Sequence, residues 1–164
     1  MQSVDSWAAI WPPLTLAILA SIGKKYGKVR MIDCNVENLT SEETLKEIVS
    51  FQPDIVVVNA TFPSIDSDSL FAKLVKDACD SAIVVGFGVF FTLLEETALL
   101  DTEGYDVAIV GEPEETFDEF CANFQNKGKV APLKGLMWRE GSEIKKGATR
   151  PFIKDLDTIP MAAR

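Results

Sequence analysis

The chain has 164 residues, 47% of them apolar and 25% charged, which is enough for one domain with a sizeable core and is the balance of a soluble globular protein. Its net charge of −9 argues against nucleic acid and anionic membrane as partners. It contains no histidine, which excludes imidazole acid–base catalysis, His-based triads and His metal ligation. The longest apolar run, residues 11–22, falls short of the roughly 20 residues of a membrane span. That run opens on Pro12 and Pro13 and ends at Lys24 and Lys25. Asp5 stands where a signal peptide carries positive charge, so export is not expected. Cys34, Cys79 and Cys121 are dispersed with no CxxC pair. The chain therefore reads as cytoplasmic, with reduced thiols and no zinc or iron–sulfur site of its own.

Residues 1–11 show no strand pattern. Either SWAAIW at 6–11 makes an irregular substitute, or the expected first strand is missing; the second reading is preferred. Residues 13–26 predict a helix: Leu14, Ile18 and Ile22 recur every four residues, Pro13 suits the first turn and Gly27 the stop. VRMIDC at 29–34 predicts a short strand. A helix follows from Thr40 or Ser41 as cap to Phe51, with acids in its first turn. IVVVN at 55–59 predicts a strand buried on both faces. Residues 66–79 predict a helix with Leu70, Leu74 and Val75 inward. AIVVG at 82–86 predicts a second buried strand, 93–100 a helix, and YDVAIV at 105–110 another strand. Residues 112–124 predict a helix with Phe117, Phe120 and Phe124 on one face and acids on the other. Strand–helix alternation gives a Rossmann-like, doubly wound parallel α/β sheet of flavodoxin-like three-layer type. The pattern changes after residue 133. GLMWR and IKK, joined through Glu140-Gly141, predict a β-hairpin. Residues 151–164 have two prolines and no period, and read as a linker. The organisation expected is thus a domain over 1–133, lacking its first strand, and a hairpin with linker over 134–164. The second part carries seven cations against four anions, leaving the first at −12. Its positive charge reads as a solvated tail, or as a tail that docks on another domain.

In an open parallel sheet, ligands bind beyond the carboxyl ends of the strands. Four segments fall there: Asp33-Cys34-Asn35, Asn59-Ala60-Thr61, Gly86-Phe87-Gly88 and Gly111-Glu112. Their small and polar residues allow close approach of backbone to a large polar ligand. Asp33 can accept from a ribose or amide, or cap its own turn. Asn59 ends a buried strand, where an amide needs a partner. Gly86 and Gly88 form a two-glycine turn without the third glycine of a dinucleotide fingerprint. The acids from Glu112 onward suit a helix N-terminus and oppose phosphate binding. No nucleophile with a base, metal cluster or phosphate loop is present. No catalytic residue and no metal ligand are therefore assigned.

GEPEETF at 111–117, after DVAIV, resembles the GEGEET stretch of cobalamin-binding domains in radical S-adenosylmethionine proteins. DLDTIPMAAR at 155–164 resembles the linker leading into their radical barrel, with Ala162 for its second proline. PPL at 12–14 and PDIVVV at 53–58 resemble the family's first helix start and its PDVVGIS strand. GFG at 86–88 is loosely similar to its GGPH turn. The resemblance covers 12–164. It implies a cobalamin-binding module of a radical enzyme of the methyltransferase or oxidative cyclase type. Asp33, Asn35, Asn59, Thr61, Gly86, Gly88 and Glu112 would then be cofactor-binding residues. Asn35 stands where related cobalamin domains carry the cobalt-ligating His, so cobalt ligation by His from this chain is impossible. The dimethylbenzimidazole tail would insert beside the sheet. The 4Fe–4S cluster and S-adenosylmethionine would belong to a radical barrel absent from this chain, its partner domain. An apolar docking surface left open would favour self-association. The chain reads as a fragment, not catalytic by itself. The competing reading is a docking or specificity domain of the same fold that has lost the cofactor. The crevice discriminates, because a vestigial one should be filled by Phe87, Phe90 and Phe91. A flavodoxin or receiver domain fits less well: the chain lacks a phosphate loop and the clustered acids with lysine.

Overall fold

The computed structural model describes residues 12–127 and 132–163. Five strands form one sheet in the order β1-β2-β3-β4-β5: β1 (Ile55–Asn59), β2 (Ile83–Phe87), β3 (Val107–Ile109), β4 (Leu136–Glu140) and β5 (Glu143–Lys146). The first three are parallel. The β4–β5 hairpin is added antiparallel against β3, with Ile109 opposite Leu136 and Val107 opposite Trp138. Gly141 at φ +64 opens its two-residue turn, the geometry a primed hairpin turn requires and glycine supplies.

Helices cover both faces. On one face lie α1 (Leu14–Gly23) and α6 (Pro113–Lys127). There Leu19, Ile22, Phe117 and Phe120 pack on Val85, Phe87, Val107 and Ile109. On the other lie α2 (Ser41–Phe51), α3 (Ile65–Ala78), α4 (Val89–Leu94) and α5 (Glu96–Asp101). There Ala72, Val75, Phe90, Phe91 and Leu99 pack on Val84 and Ala108. The alternation of inward side chains along β2 feeds both layers, as a three-layer α/β domain requires. Thr40 caps α2 with a full capping box: its hydroxyl accepts from Glu43 N–H at 3.2 Å and Glu43 Oε2 accepts from Thr40 N–H at 2.8 Å. No described helix is long and apolar enough to cross a membrane.

Four expectations need correction. Residues 29–33 form no strand and Cys34 already lies in a turn. A strand needs a neighbour to take its backbone groups, and among the described residues none does so for this segment. For the same reason β1 is an edge: its outer side meets no described strand, and Ile55, Val56, Val57 and Val58 are only half-buried. In α3 the inward side is Ala72 and Val75, while Leu70 and Leu74 are exposed. Gly104 decides this, because its backbone runs so close that an added Cβ would lie 2.2 Å from Lys73 N. Only a small residue such as Ala72 fits there. Finally, the helix expected over 93–100 is two short helices hinged at Glu95, φ +48. Glu95 and Glu96 both pair there with Lys146 of β5. The question of a strand at 6–11 lies outside the described residues.

Candidate functional site

The carboxyl ends of β1, β2 and β3 bring Asn59, Gly88 and Gly111 side by side. Ala60 N–H donates to Phe87 carbonyl at 2.8 Å, locking the first two loops together. Gly88 sits at φ +119, and a Cβ there would lie 2.5 Å from Ala60 carbonyl and 2.7 Å from Asn59 Oδ1. No other residue fits. Thr92, one turn into α4, ties in the third loop. Its hydroxyl donates to Gly88 carbonyl at 3.0 Å and accepts from Gly111 N–H at 3.1 Å. Gly111 is at φ +83 and nothing lies within 4 Å of where its Cβ would be. The row ends on a bare, open stretch of backbone. Exposed Phe62 and Val89 flank it, and Asn59 is exposed too, not buried as its place in an apolar strand suggested.

Beneath this row the structure is closed. A Cβ on Gly86 would lie 2.4 and 2.7 Å from two atoms of the Phe91 ring and 3.0 Å from Tyr105. Phe62, Phe90, Phe91 and Tyr105 form a chain of edge-to-face ring pairs with centroids 5.3, 5.6 and 5.0 Å apart. Phe87 points to the opposite layer. Phe87, Phe90 and Phe91 are 3%, 7% and 0% exposed. Tyr105 is also buried, and its hydroxyl has no hydrogen-bond partner among the described residues. Burial, and then the charge of Asp68, raises its ionisation well above the ordinary phenol range.

The other expected residues have local partners. Asp33 Oδ1 accepts from the N–H groups of Asn35 and Val36, each at 3.2 Å, an Asx turn. Cys34 Sγ lies 3.3 Å from Thr44 Oγ1 in α2. The turn is therefore anchored to α2, not to the strand-end row. Thr61 Oγ1 lies 2.8 Å from Ser64 Oγ, which donates to Asp68 Oδ2 at 2.6 Å. Desolvation raises the Asp68 pKa against the effect of these bonds. Glu112 Oε2 accepts from Ile153 N–H at 2.7 Å and so holds the linker. Sequence reading marked the Gly111 segment without assigning Gly111 to the site, and missed Thr92 and Tyr105. The spacing Gly88–Thr92, a hydroxyl four residues beyond a strand-end glycine, is the signal that could have found Thr92. Among the described residues no cluster of His, Cys, Asp and Glu could hold a metal ion.

Residues 4–121 match the family described as B12 binding domain. An uncharacterised methyltransferase of Pyrococcus horikoshii is 31% identical over 150 residues, covering 92% of this chain and 33% of that protein. The anaerobic magnesium-protoporphyrin IX monomethyl ester cyclase of Cereibacter sphaeroides is 29% identical over 157 residues, covering 93% and 26%. This chain thus spans a third or less of these relatives. Two solved structures share the fold. The cobalamin-dependent S-adenosylmethionine radical enzyme OxsB, with aqua-cobalamin and S-adenosylmethionine bound, superposes with TM-score 0.76 at 18% identity, covering 93% of this chain and 22% of that one. The radical S-adenosylmethionine methyltransferase TsrM of Kitasatospora setae, with cobalamin and a [4Fe-4S] cluster bound, gives 0.72 at 16% identity, covering 92% and 28%.

Proposed function

The chain belongs to the B12-binding domain family, and on that premise we propose that it seats a corrinoid over the carboxyl ends of β1, β2 and β3, as the cofactor module of a cytoplasmic radical S-adenosylmethionine enzyme. The observation that carries this reading is the strand-end row from Asn59 through Gly88 to Gly111, open at Gly111, fixed by Thr92 and followed in the chain by exposed Phe62 and Val89. A corrin is a broad ring with an apolar plane and an amide rim, and that row offers apolar side chains beside peptide groups and an exposed amide. A bound corrinoid would supply cobalt-centred methyl-transfer or redox chemistry.

Asn59 and the Gly111 peptide are the groups available to the rim amides. Gly88 and Thr92 hold the row in shape. Asp33, Asn35 and Thr61 are placed around it in the proposal, and Glu112 acts by holding the linker. Gly86 serves by admitting Phe91, not by touching the ligand. With no histidine in the chain, the cobalt receives no imidazole from it. Methyl transfer or oxidative cyclisation belongs to the longer enzyme, whose barrel would bring the iron–sulfur cluster and S-adenosylmethionine.

One observation favours a second reading. Phe90 and Phe91 pack the space beside Gly86, while Phe87 fills the opposite layer, as expected of a domain that has given up its cofactor and serves in docking. Titration of the chain with hydroxocobalamin, followed by absorbance and calorimetry, decides. Saturable one-to-one binding is expected, weakened about tenfold in Asn59→Leu, a change of about 1.4 kcal/mol. Asn59 is exposed, so the fold should survive. Absence of binding at high micromolar ligand would leave the docking role.

A further inference from the structure

We infer that Lys146, in the hairpin strand β5, is a positioning residue for the corrinoid seat: through Glu95 it fixes α4, and α4 fixes the strand-end row. The inference rests on the corrinoid reading above and adds to it a residue that lies outside the row.

The starting point is a backbone outlier. Glu95 closes α4 and opens α5 at φ +48 and ψ −124. Gln52 also has a positive φ, but its ψ of +60 places it in the left-handed helical region. Glu95 lies outside that region, where a side chain is strained and glycine is at ease. Such strain persists only where the surroundings over-determine it, and it gathers at functional sites. What a glycine would lack here is the carboxylate. That carboxylate pairs with the Lys146 ammonium, and Glu96 lies 3.9 Å from the same group. Lys146 is only 25% exposed, unlike the free surface pairs that contribute little.

The hairpin also holds α5 at its far end. Arg139 of β4 donates from Nη2 to the carbonyls of Leu99 and Thr102, and from Nε to Tyr105 carbonyl at 2.9 Å. Ile144 of β5 packs against the core cluster that contains Phe91 and Leu99. The hairpin thus grips α5 at both ends and ties the α4–α5 junction to the sheet.

From that junction α4 carries the constraint to the seat. It has six residues, about 9 Å of helix, set between two positive-φ residues, Gly88 and Glu95. Thr92, three residues before Glu95, bridges Gly88 carbonyl and Gly111 N–H. Phe90 meets Phe62, and Phe91 meets Tyr105, ring edge to ring face. A shift at Glu95 therefore moves the groups that shape the row.

The test is hydroxocobalamin titration of the chain and of its Lys146→Met, Glu95→Gln and doubly substituted variants. The denaturant midpoint and amide exchange over residues 88–99 are measured for each. Lys146→Met should weaken binding about fivefold and speed exchange in α4 while β1, β2 and β3 stay protected. Glu95→Gln should do the same, and the double variant should bind no worse than either single one. Lys146→Arg should recover the affinity, because a guanidinium also pairs with carboxylates. Losses that add in the double variant would overturn the inference and leave corrinoid binding standing. So would a lowered midpoint with the affinity of the folded chain intact, the mark of a merely structural ion pair. Failure of the unsubstituted chain to bind would instead overturn the corrinoid reading, and this inference with it.

Discussion

At the residue scale, burial sets the behaviour of two titratable groups. Burial, reinforced by Asp118, pushes the Cys121 thiol up to about 12. It should remain a thiol at pH 8 and resist iodoacetamide in the folded chain, while the half-buried Cys34 and Cys79 are labelled first. Mass spectrometry of labelled peptides, with and without denaturant, gives the order. Asp68 is raised by desolvation, so the folded state holds its proton more tightly than the unfolded chain. Stability therefore falls as pH rises from the ordinary carboxylate value through the raised one, and stays lower beyond it. Asp68→Asn keeps an acceptor for Ser64 and removes that loss. The variant should be the more stable at pH 7, and the difference should vanish below about pH 4. Denaturant unfolding at both pH values reads this directly. Gly104 sets a steric limit of the same local kind. At φ +86, with Lys73 N 2.2 Å from its absent Cβ, Gly104→Ala should cost more than about 3 kcal/mol.

At the scale of elements, what the sequence made legible is what local chemistry determines. Thr40 and Glu43 stand three apart ahead of an apolar run, and that spacing alone yields the capping box of α2. Thr40→Ala should cost about 1 kcal/mol, measured as a lower unfolding midpoint without a change in denaturant slope. The β-branched run IVVVN and the α6 phenylalanines were equally legible. Pairing was not. VRMIDC has strand composition, but composition cannot supply a neighbour, and among the described residues that segment has none. Nor could spacing show that Gly104 would press on α3 and turn Leu70 and Leu74 outward. The candidate site divides along the same line. Glycines and an amide at strand ends marked its place, because ligand position follows from sheet topology. Its floor was legible in part: Phe90 and Phe91 were named as filling residues, but Phe87, a strand residue, faces the opposite layer, and Tyr105, which backs Phe91, comes from a distant part of the chain.

For the whole molecule, the C-terminal stretch is bound to the domain and not merely trailing from it. Arg150 is the fastening. Its side chain is only 9% exposed. Nε donates to Thr116 Oγ1 at 2.8 Å, Nη1 to Glu115 and Glu119 at 3.3 Å each, and Nη2 to Glu119. Beyond it, Glu112 holds Ile153 N–H, Ser21 hydroxyl donates to Met161 carbonyl at 2.6 Å, and Ala163 N–H donates to Ala17 carbonyl at 2.9 Å. Residues 150–163 thus run from the start of α6 back to α1. Arg150 in this stretch meets two acids of α6. Hydrogen bonds to charged groups are worth about 1.5–3 kcal/mol each, yet the two glutamates are half-exposed and solvent screens their share. The net loss in Arg150→Ala should therefore be about 1–3 kcal/mol. Its distribution is the sharper expectation: amide exchange and proteolysis should accelerate over residues 150–163 while β1, β2 and β3 stay protected. Arg150→Lys should not restore the protection, because a single ammonium cannot reach a hydroxyl and two carboxylates in one plane as a guanidinium does. If the lysine variant restores it, simple charge attraction, not the fork, fastens the linker.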